Sequence, residues 1–163
     1  MVTETWFSEL YRVSYRRLVL TAYAMTGDLG VAEEITQEAF TVAYGRRVRV
    51  LRLDNQEAWL RTVVVNLARR RHRRSAMADR LLRRQSTEPS PTVPPMGEHV
   101  DLHVAIRRLD EDLRAVVVLY YLADLPVDEV SAVLDVPSGT VKSRLARARN
   151  ALAARLSAEV DHA

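Results

Sequence analysis

The stretch from Pro137 to Arg155 carries five basic residues and no acidic one, on a helical pattern. Arginine can bind DNA phosphates or the edge of guanine, and the amides at a helix N-terminus favour phosphate. Small residues at the start of such a helix let its backbone approach DNA closely. The alternative is a basic terminal helix that only faces solvent. We predict a DNA-binding surface formed by Ser138, Gly139, Thr140, Lys142, Ser143, Arg144 and Arg147.

A second basic block, from Arg61 to Arg84, contains nine arginines and one acid. Arginines on one helical stripe could follow a phosphate backbone, while an asparagine among them could hydrogen-bond a base or a phosphate. Either block alone is equally consistent with a solvated face in a chain with 23 arginines and one lysine, but two separated blocks favour a polyanion. The predicted stripe contains Thr62, Asn66, Arg69 and Arg73.

An acidic stripe precedes this second block. Its members are spaced three or four residues apart, opposite an apolar stripe of the same helix. By itself such a stripe is typical of a solvated surface. The stripe contains Glu34, Gln37, Glu38 and Thr41.

The C-terminal basic residues require a helix-turn-helix to position them. Val127 to Leu134 predicts a short helix, and a tight turn follows because aspartate tolerates left-handed backbone and Pro137 blocks continuation. Ser138 is the predicted N-cap of the next helix. The predicted buried stripe of that helix is Val141, Leu145, Ala148 and Leu152.

Three helices are predicted in the first half. Asp28 is the expected N-cap of the second, which should end near Gly45, and a basic loop runs from Arg46 to Asn55. Asp54 and Glu57 have capping-box spacing at the start of the third helix. One face of the first helix is expected to consist of Phe7, Tyr11, Tyr15, Leu18, Ala22 and Met25. The expected inward residues of the second are Ala32, Ile35, Ala39 and Val42. Those of the third are Trp59, Leu60, Val63, Val64 and Leu67, with Trp59 alternatively a stacking platform.

Helical periodicity and the near absence of strand signals predict an all-α chain of two small domains. Residues 85–98 hold four of the six prolines and predict a linker. The expected domains are residues 1–84 and 99–163. The second should be a four-helix domain, with breaks at Asp110, at Ala123 to Pro126 and at Asp135 to Ser138.

Several classes of function are disfavoured. Without cysteine there are no disulfides or thiolate metal sites, which fits a cytoplasmic protein. No apolar run reaches about 20 residues, and the N-terminus does not resemble a secretory signal, so no membrane partner is expected. His99 and His103 have metal-ligand spacing but no third convergent ligand, and the scattered glycines form no phosphate loop. We expect neither a cofactor nor enzymatic activity.

The C-terminal helix resembles that of the RNA polymerase sigma factors of the extracytoplasmic-function group. Pro137, Gly139 to Arg144 and Arg147 to Arg149 match the family pattern, and the resemblance implies that this domain binds the promoter's minus-thirty-five element. The chain departs from the pattern at Asp110, Ser131 and Asp135, all outside the recognition helix.

The first half carries the same resemblance. Ala32 to Phe40 is similar to the family's polymerase-docking helix, which implies that Glu34, Gln37, Glu38 and Thr41 meet the clamp helices of the largest subunit of core RNA polymerase. Trp59, Leu60 and Asn66 match the pattern of the helix that contacts the minus-ten element. A non-template base would be flipped into a pocket near the loop Arg46 to Asn55. Arg70, which stands where the family often has aspartate, joins the predicted minus-ten contacts.

The resemblance implies promoter DNA, as duplex and as non-template single strand, as the second partner, and an anti-sigma protein as a possible third. Two other hypotheses remain. A conventional helix-turn-helix regulator would act without polymerase, but would leave the first domain's acidic and basic surfaces unused. A helical protein-interaction adaptor would carry its basic blocks only as solvated surface.

Overall fold

The computed structural model describes residues 2–82 and 100–160, and all of its regular structure there is helical. The all-α prediction is therefore confirmed. The chain divides into two compact units, Met1–Val93 and Pro94–Ala163, which are described separately below. The expected proline-rich linker and both domain boundaries lie outside the described residues, so they stay predictions. None of the described helices is long and apolar enough to cross a membrane.

Within residues 2–82, the first unit contains four helices: α1 (Val2–Thr26), α2 (Leu29–Gly45), the short α3 (Arg47–Val50) and α4 (Gln56–Leu82). α1, α2 and α4 pack against one another around a core of aliphatic side chains. An aromatic cluster covers one end of this core, where the Phe40 ring lies 4.7 Å from Tyr11 and 5.9 Å from Phe7, centroid to centroid. Fully buried residues of this core include Leu18, Ala22, Ile35, Leu60 and Val64.

The turn between α1 and α2 follows the sequence prediction. Gly27 has a φ of 70°, a left-handed conformation that glycine adopts without steric cost and that ends α1. Asp28 then caps α2, since its carboxylate accepts a hydrogen bond of 3.0 Å from the Val31 amide. The predicted cap and the predicted end of α2 near Gly45 are both correct.

The segment between α2 and α4 differs from the prediction in two respects. The expected loop contains the helical turn α3, because the fully buried Val50 anchors it to the core. The cap of α4 is Asn55 rather than Asp54: the Asn55 side-chain oxygen accepts a hydrogen bond of 2.9 Å from the Ala58 amide. Glu57 therefore has no capping partner at Asp54 and instead contacts α1.

The buried face of α4 is rotated from the predicted one. Leu60 and Val64 are buried as expected, whereas Trp59, Val63 and Leu67 are only half-buried. Since α1 and α2 both pack on α4, the buried stripe is wider than one helical row, and it also takes in Val65 and Ala68.

In the described part of the second unit, residues 100–160, the structure has the four helical segments expected from the sequence. They are α5 (Val100–Arg107), α6 (Glu111–Val117), α7 (Val127–Leu134) and α8 (Ser138–Val160), and α6 continues directly into a wider π-helical turn, Val118–Leu122. The breaks between them fall where they were predicted. The core of this unit includes Leu119, Val116, Val130, Val141 and Leu145.

Arg114 connects the start of this unit to its core. Its guanidinium donates hydrogen bonds to the carbonyl oxygens of Ile106 (3.4 Å) and Arg107, at the C-terminal end of α5, and of Leu109 (2.9 Å), two residues beyond it. The carbonyls of a last helical turn have no partners within the helix, and that of Ile106 also accepts from the Leu109 amide at 3.1 Å. Burial lowers the pKa of the Arg114 guanidinium, and the negative charge of nearby Glu111 offsets part of this effect because it raises the same pKa. An arginine from α6 thus provides hydrogen-bond donors for the backbone carbonyls at the end of α5.

Candidate nucleic-acid and partner interfaces

The predicted helix-turn-helix is formed by α7 and α8. Asp135 adopts the left-handed conformation that the sequence suggested, with φ 53° and ψ 50°. The turn is closed by Ser131, whose hydroxyl donates to the Val136 carbonyl at 2.6 Å and whose carbonyl accepts from the Val136 amide at 3.2 Å. The start of α8 is therefore fixed relative to the end of α7.

The faces of α8 separate a buried stripe from an exposed one. Val141, Leu145 and Ala148 are buried as predicted, and Leu152 is half-buried. The surface opposite them carries three of the predicted DNA-binding residues, Gly139, Ser143 and Arg147, all exposed. A Cβ placed on Gly139 would meet no atom within 4 Å, so the fold itself does not require glycine there. The open space leaves room for a DNA backbone.

Ser138 has a different role from the predicted one. It is the first residue of α8 rather than the cap before it, and its hydroxyl donates to Oδ1 of Asp128 at 2.9 Å. The first amides of α8 to find backbone partners, those of Thr140 and Val141, bond the Pro137 carbonyl. The cap prediction was wrong because sequence spacing does not show that Asp128, ten residues earlier, is within reach of the hydroxyl.

Arg144 and Lys142 occupy the two flanks of α8. Nη2 of Arg144 lies 3.2 Å from Oδ2 of Asp112 in α6, and the arginine side chain is only 19% exposed. Lys142 is exposed, and Thr140 is half-buried. Further along the helix, Arg149 donates to the Tyr121 hydroxyl at 3.3 Å. The predicted DNA-binding residues of α8 thus lie on one continuous surface, with Arg144 at its edge.

The predicted polymerase-binding residues are all exposed on α2. Glu34, Gln37, Glu38 and Thr41 share one face, and the Thr41 hydroxyl donates to the Gln37 carbonyl at 3.0 Å. This face is not isolated from the basic block. Oε2 of Glu34 lies 2.7 Å from Nη2 of Arg71 in α4, an exposed ion pair that connects the two helices.

The predicted minus-ten stripe lies along α4 as expected. Asn66, Arg70 and Arg73 are exposed, while Arg69 and Thr62 are half-buried, and the Thr62 hydroxyl donates to the Ala58 carbonyl at 3.1 Å. A groove of about 400 Å³ lies between α4 and α2 on the surface of the first unit. It is lined by Ile35, Glu38, Leu67, Arg70, Arg71, Arg74, Ser75 and Ala78. One residue of each predicted interface, Glu38 and Arg70, therefore lines the same groove.

A second cavity lies beside α3. It measures about 430 Å³, and it falls in the segment where the family resemblance implied a base pocket. Arg47 does not line it; its guanidinium stacks over the Tyr44 ring, 5.3 Å from the centroid. The cavity is lined by Gly45, Arg46, Val48, Arg49, Arg52 and Leu53.

Sequence reasoning missed the cluster around Glu57, which fixes the start of α4. The largely buried Glu57 carboxylate pairs with Arg61 one turn later and with Arg17 of α1 at 3.5 Å, and it accepts from the Ser14 hydroxyl at 3.4 Å. Nearby, Trp6 donates to the Gln56 side chain at 2.8 Å. The buried polar residue Ser14 in the first helix was the available signal. Among residues 2–82 and 100–160, no three His, Asp or Glu side chains converge as a metal site, and His99 lies outside them.

The fold defines a class: two-unit helical proteins whose C-terminal unit ends in a helix-turn-helix. Comparison with known families is specific within that class. The family described as sigma-70 region 2 matches residues 10–77, and the family described as sigma-70, region 4 matches residues 99–152.

Individual relatives agree. The chain is 32% identical over 154 residues to the ECF RNA polymerase sigma factor SigE of Mycolicibacterium smegmatis, covering 90% of this chain and 60% of that protein. It is 30% identical to the ECF RNA polymerase sigma factor SigW of Bacillus subtilis, covering 92% of this chain and 88% of SigW. It spans only 34% of a third relative, the probable RNA polymerase sigma factor RfaY of Xanthomonas campestris pv. campestris. This chain belongs to the ECF sigma factors of RNA polymerase.

A solved structure shows the same fold. The sigma factor RpoE from Bartonella quintana, determined in complex with the anti-sigma factor NepR, superposes with a TM-score of 0.78 at 22% identity. The match covers 93% of this chain and 96% of that one.

Proposed function

We propose that this protein binds core RNA polymerase and directs promoter-specific initiation of transcription. One observation carries the proposal: each of two family-matched helical units exposes a basic helix, and the first also exposes an acidic face on α2. A polyanion and a basic protein surface are the complementary partners. The expected domain limits are 1–84 and 99–163, joined by the linker 85–98.

The first domain would capture the minus-ten element. Asn66, Arg70 and Arg73 are free to meet a displaced strand along α4, with Thr62 and Arg69 at the edge of the stripe. The cavity beside α3 supplies three arginines, Arg46, Arg49 and Arg52, around a space that could hold an unstacked base. Trapping such bases offsets the few kcal/mol that unstacking each one costs.

The second domain would read the minus-thirty-five element as duplex. Gly139, Ser143 and Arg147 face away from the core, as residues of a recognition helix in the major groove must. Joining two sites in one chain raises their effective concentration, so neither domain needs to bind tightly alone.

The acidic face of α2 would dock on the clamp helices of the largest polymerase subunit. The test is run-off transcription with core polymerase, comparing wild type with the double variant Gln37→Ala plus Glu38→Lys. We expect loss of polymerase binding and of promoter-specific initiation, because charge reversal places like charges across the interface. Glu9→Lys reverses an exposed charge on α1 and serves as the matched control. Normal initiation by the double variant would remove the docking assignment.

Related assignments follow from this proposal. The polymerase, not this chain, would perform nucleotidyl transfer, so the protein would have no catalytic residues and no cofactor. It would act in the cytoplasm, and an anti-sigma protein is a further candidate partner. A conventional regulator that acts without polymerase is not favoured, because the sigma-70 region 2 match extends over residues 10–77.

A further inference from the structure

Two carboxylates lie beside α8, and each bonds one of its predicted DNA-binding side chains. We propose that Asp112 and Asp128 are positioning residues that increase the sequence discrimination of α8 while lowering its affinity for DNA in general. The inference rests on the proposed function, since it requires that α8 reads duplex DNA.

Asp112 restrains Arg144 at the edge of the DNA-facing surface. The 3.2 Å contact uses one nitrogen, Nη2, of a planar group that has five N–H donors. Donors on the other nitrogens can still reach a base edge, and a guanidinium with a fixed plane loses less entropy on binding than a freely rotating one. Held in this way, Arg144 can bind a base in one orientation instead of following whichever phosphate is nearest.

Asp128 changes what Ser138 can recognise. A hydroxyl has a single proton, and that of Ser138 is donated to Oδ1 of Asp128 at 2.9 Å. The Ser138 oxygen can then only accept a further hydrogen bond. Phosphate offers no donor, whereas the amino groups of adenine and cytosine do. The contact therefore directs Ser138 away from the backbone and toward bases.

Both carboxylates also act through their charge. Asp112 and Asp128 are exposed, and their negative charge repels phosphates whatever the base sequence. Removing one charge should thus strengthen binding to every sequence while weakening the preference among sequences. Arg144→Ala should reduce both quantities. This opposite effect on overall affinity distinguishes a positioning carboxylate from a direct contact.

The experiment selects promoters from a library randomised across the upstream element, using the full chain with core polymerase. It compares wild type, Asp112→Ala, Asp128→Ala and the control Glu129→Ala, because the amide oxygen of an asparagine could still accept both hydrogen bonds. Glu129 is an exposed carboxylate beside Asp128, and among the described residues no hydrogen bond or ion pair joins it to α8. The two aspartate variants should bind random-sequence DNA roughly two- to threefold more tightly. They should lose roughly fivefold or more discrimination at one or two base pairs each, and Glu129→Ala should lose none.

The outcomes distinguish a failure of this inference from a failure of the proposed function on which it rests. Unchanged discrimination in both aspartate variants, with wild type still selecting a sequence, would overturn the inference alone. So would a uniform loss of affinity together with a lower unfolding temperature, which would give the two contacts a purely structural role. If wild type enriched no sequence at all, the proposed function itself would fail.

Discussion

Arg114 offers the sharpest test of how the second unit is held together. Replacing it with methionine keeps much of the side-chain volume but removes the guanidinium hydrogen bonds to the three carbonyls at and just beyond the end of α5. Because α5 packs on α8 as well as on α6, loosening its end should weaken the support of the helix-turn-helix.

The expected loss can be worked out from these contacts. Hydrogen bonds from a charged donor contribute about 1.5–3 kcal/mol each. Arg114 is not fully enclosed, so water can replace part of what is lost, and we expect about 3 kcal/mol in total. A unit of this size has a free energy of unfolding of only about 3–9 kcal/mol. At about 4–8 °C per kcal/mol, the unfolding temperature should fall by about 12–24 °C.

The two tryptophans make the assay selective. Trp6 and Trp59 both belong to the first unit, so their fluorescence follows that unit, while far-UV circular dichroism follows both. Arg114→Met should lower the unfolding temperature of the second unit only. Circular dichroism should detect this transition, whereas tryptophan fluorescence should not change. Arg114→Lys should show a smaller shift, since a compact ammonium cannot reach all three carbonyls. Arg108→Met, which removes an exposed arginine of the same segment, is the control. Equal unfolding temperatures for the Arg114→Met and Arg108→Met variants would refute the reasoning.

Two further stability predictions use the same assay. Asp135→Gly should stabilise the second unit by about 0.5–1 kcal/mol, because glycine adopts the left-handed conformation at φ 53° without steric cost; a lower unfolding temperature would contradict this. Glu57→Gln should destabilise the first unit by about 1–2 kcal/mol, since Arg61 loses its charged partner in a largely buried position. That loss should appear as a lower unfolding temperature in tryptophan fluorescence, and an unchanged temperature would contradict the prediction.

Periodicity and turn chemistry predicted most of the fold. The positions of the helices, the Asp28 cap and the left-handed Asp135 all depend on neighbours within a few residues, which the sequence displays directly. The cap of α4 was assigned wrongly because two adjacent polar residues, Asp54 and Asn55, could both accept from the start of the helix, and capping-box spacing favoured Asp54.

The partners of the candidate site residues were harder to foresee. Arg144 and Asp112 are 32 residues apart, and a helical wheel of α8 cannot show that α6 brings a carboxylate to its flank. The rotated face of α4 has a similar cause, since two helices pack on it and one row of residues does not cover both contacts. The exposed faces of α2 and α8 could be predicted from sequence, but the buried face of α4 and the pairings between elements could not.

The Glu34–Arg71 ion pair has a consequence for genetics. Since one partner belongs to the proposed polymerase-docking face and the other to the arginine-rich helix, a substitution at Glu34 also releases a cation on α4. A defect caused by such a mutation would combine two effects, and a second change at Arg71 could correct one of them without touching the polymerase. A suppressor mutation found within this chain would therefore not by itself show that the original defect lay in polymerase docking.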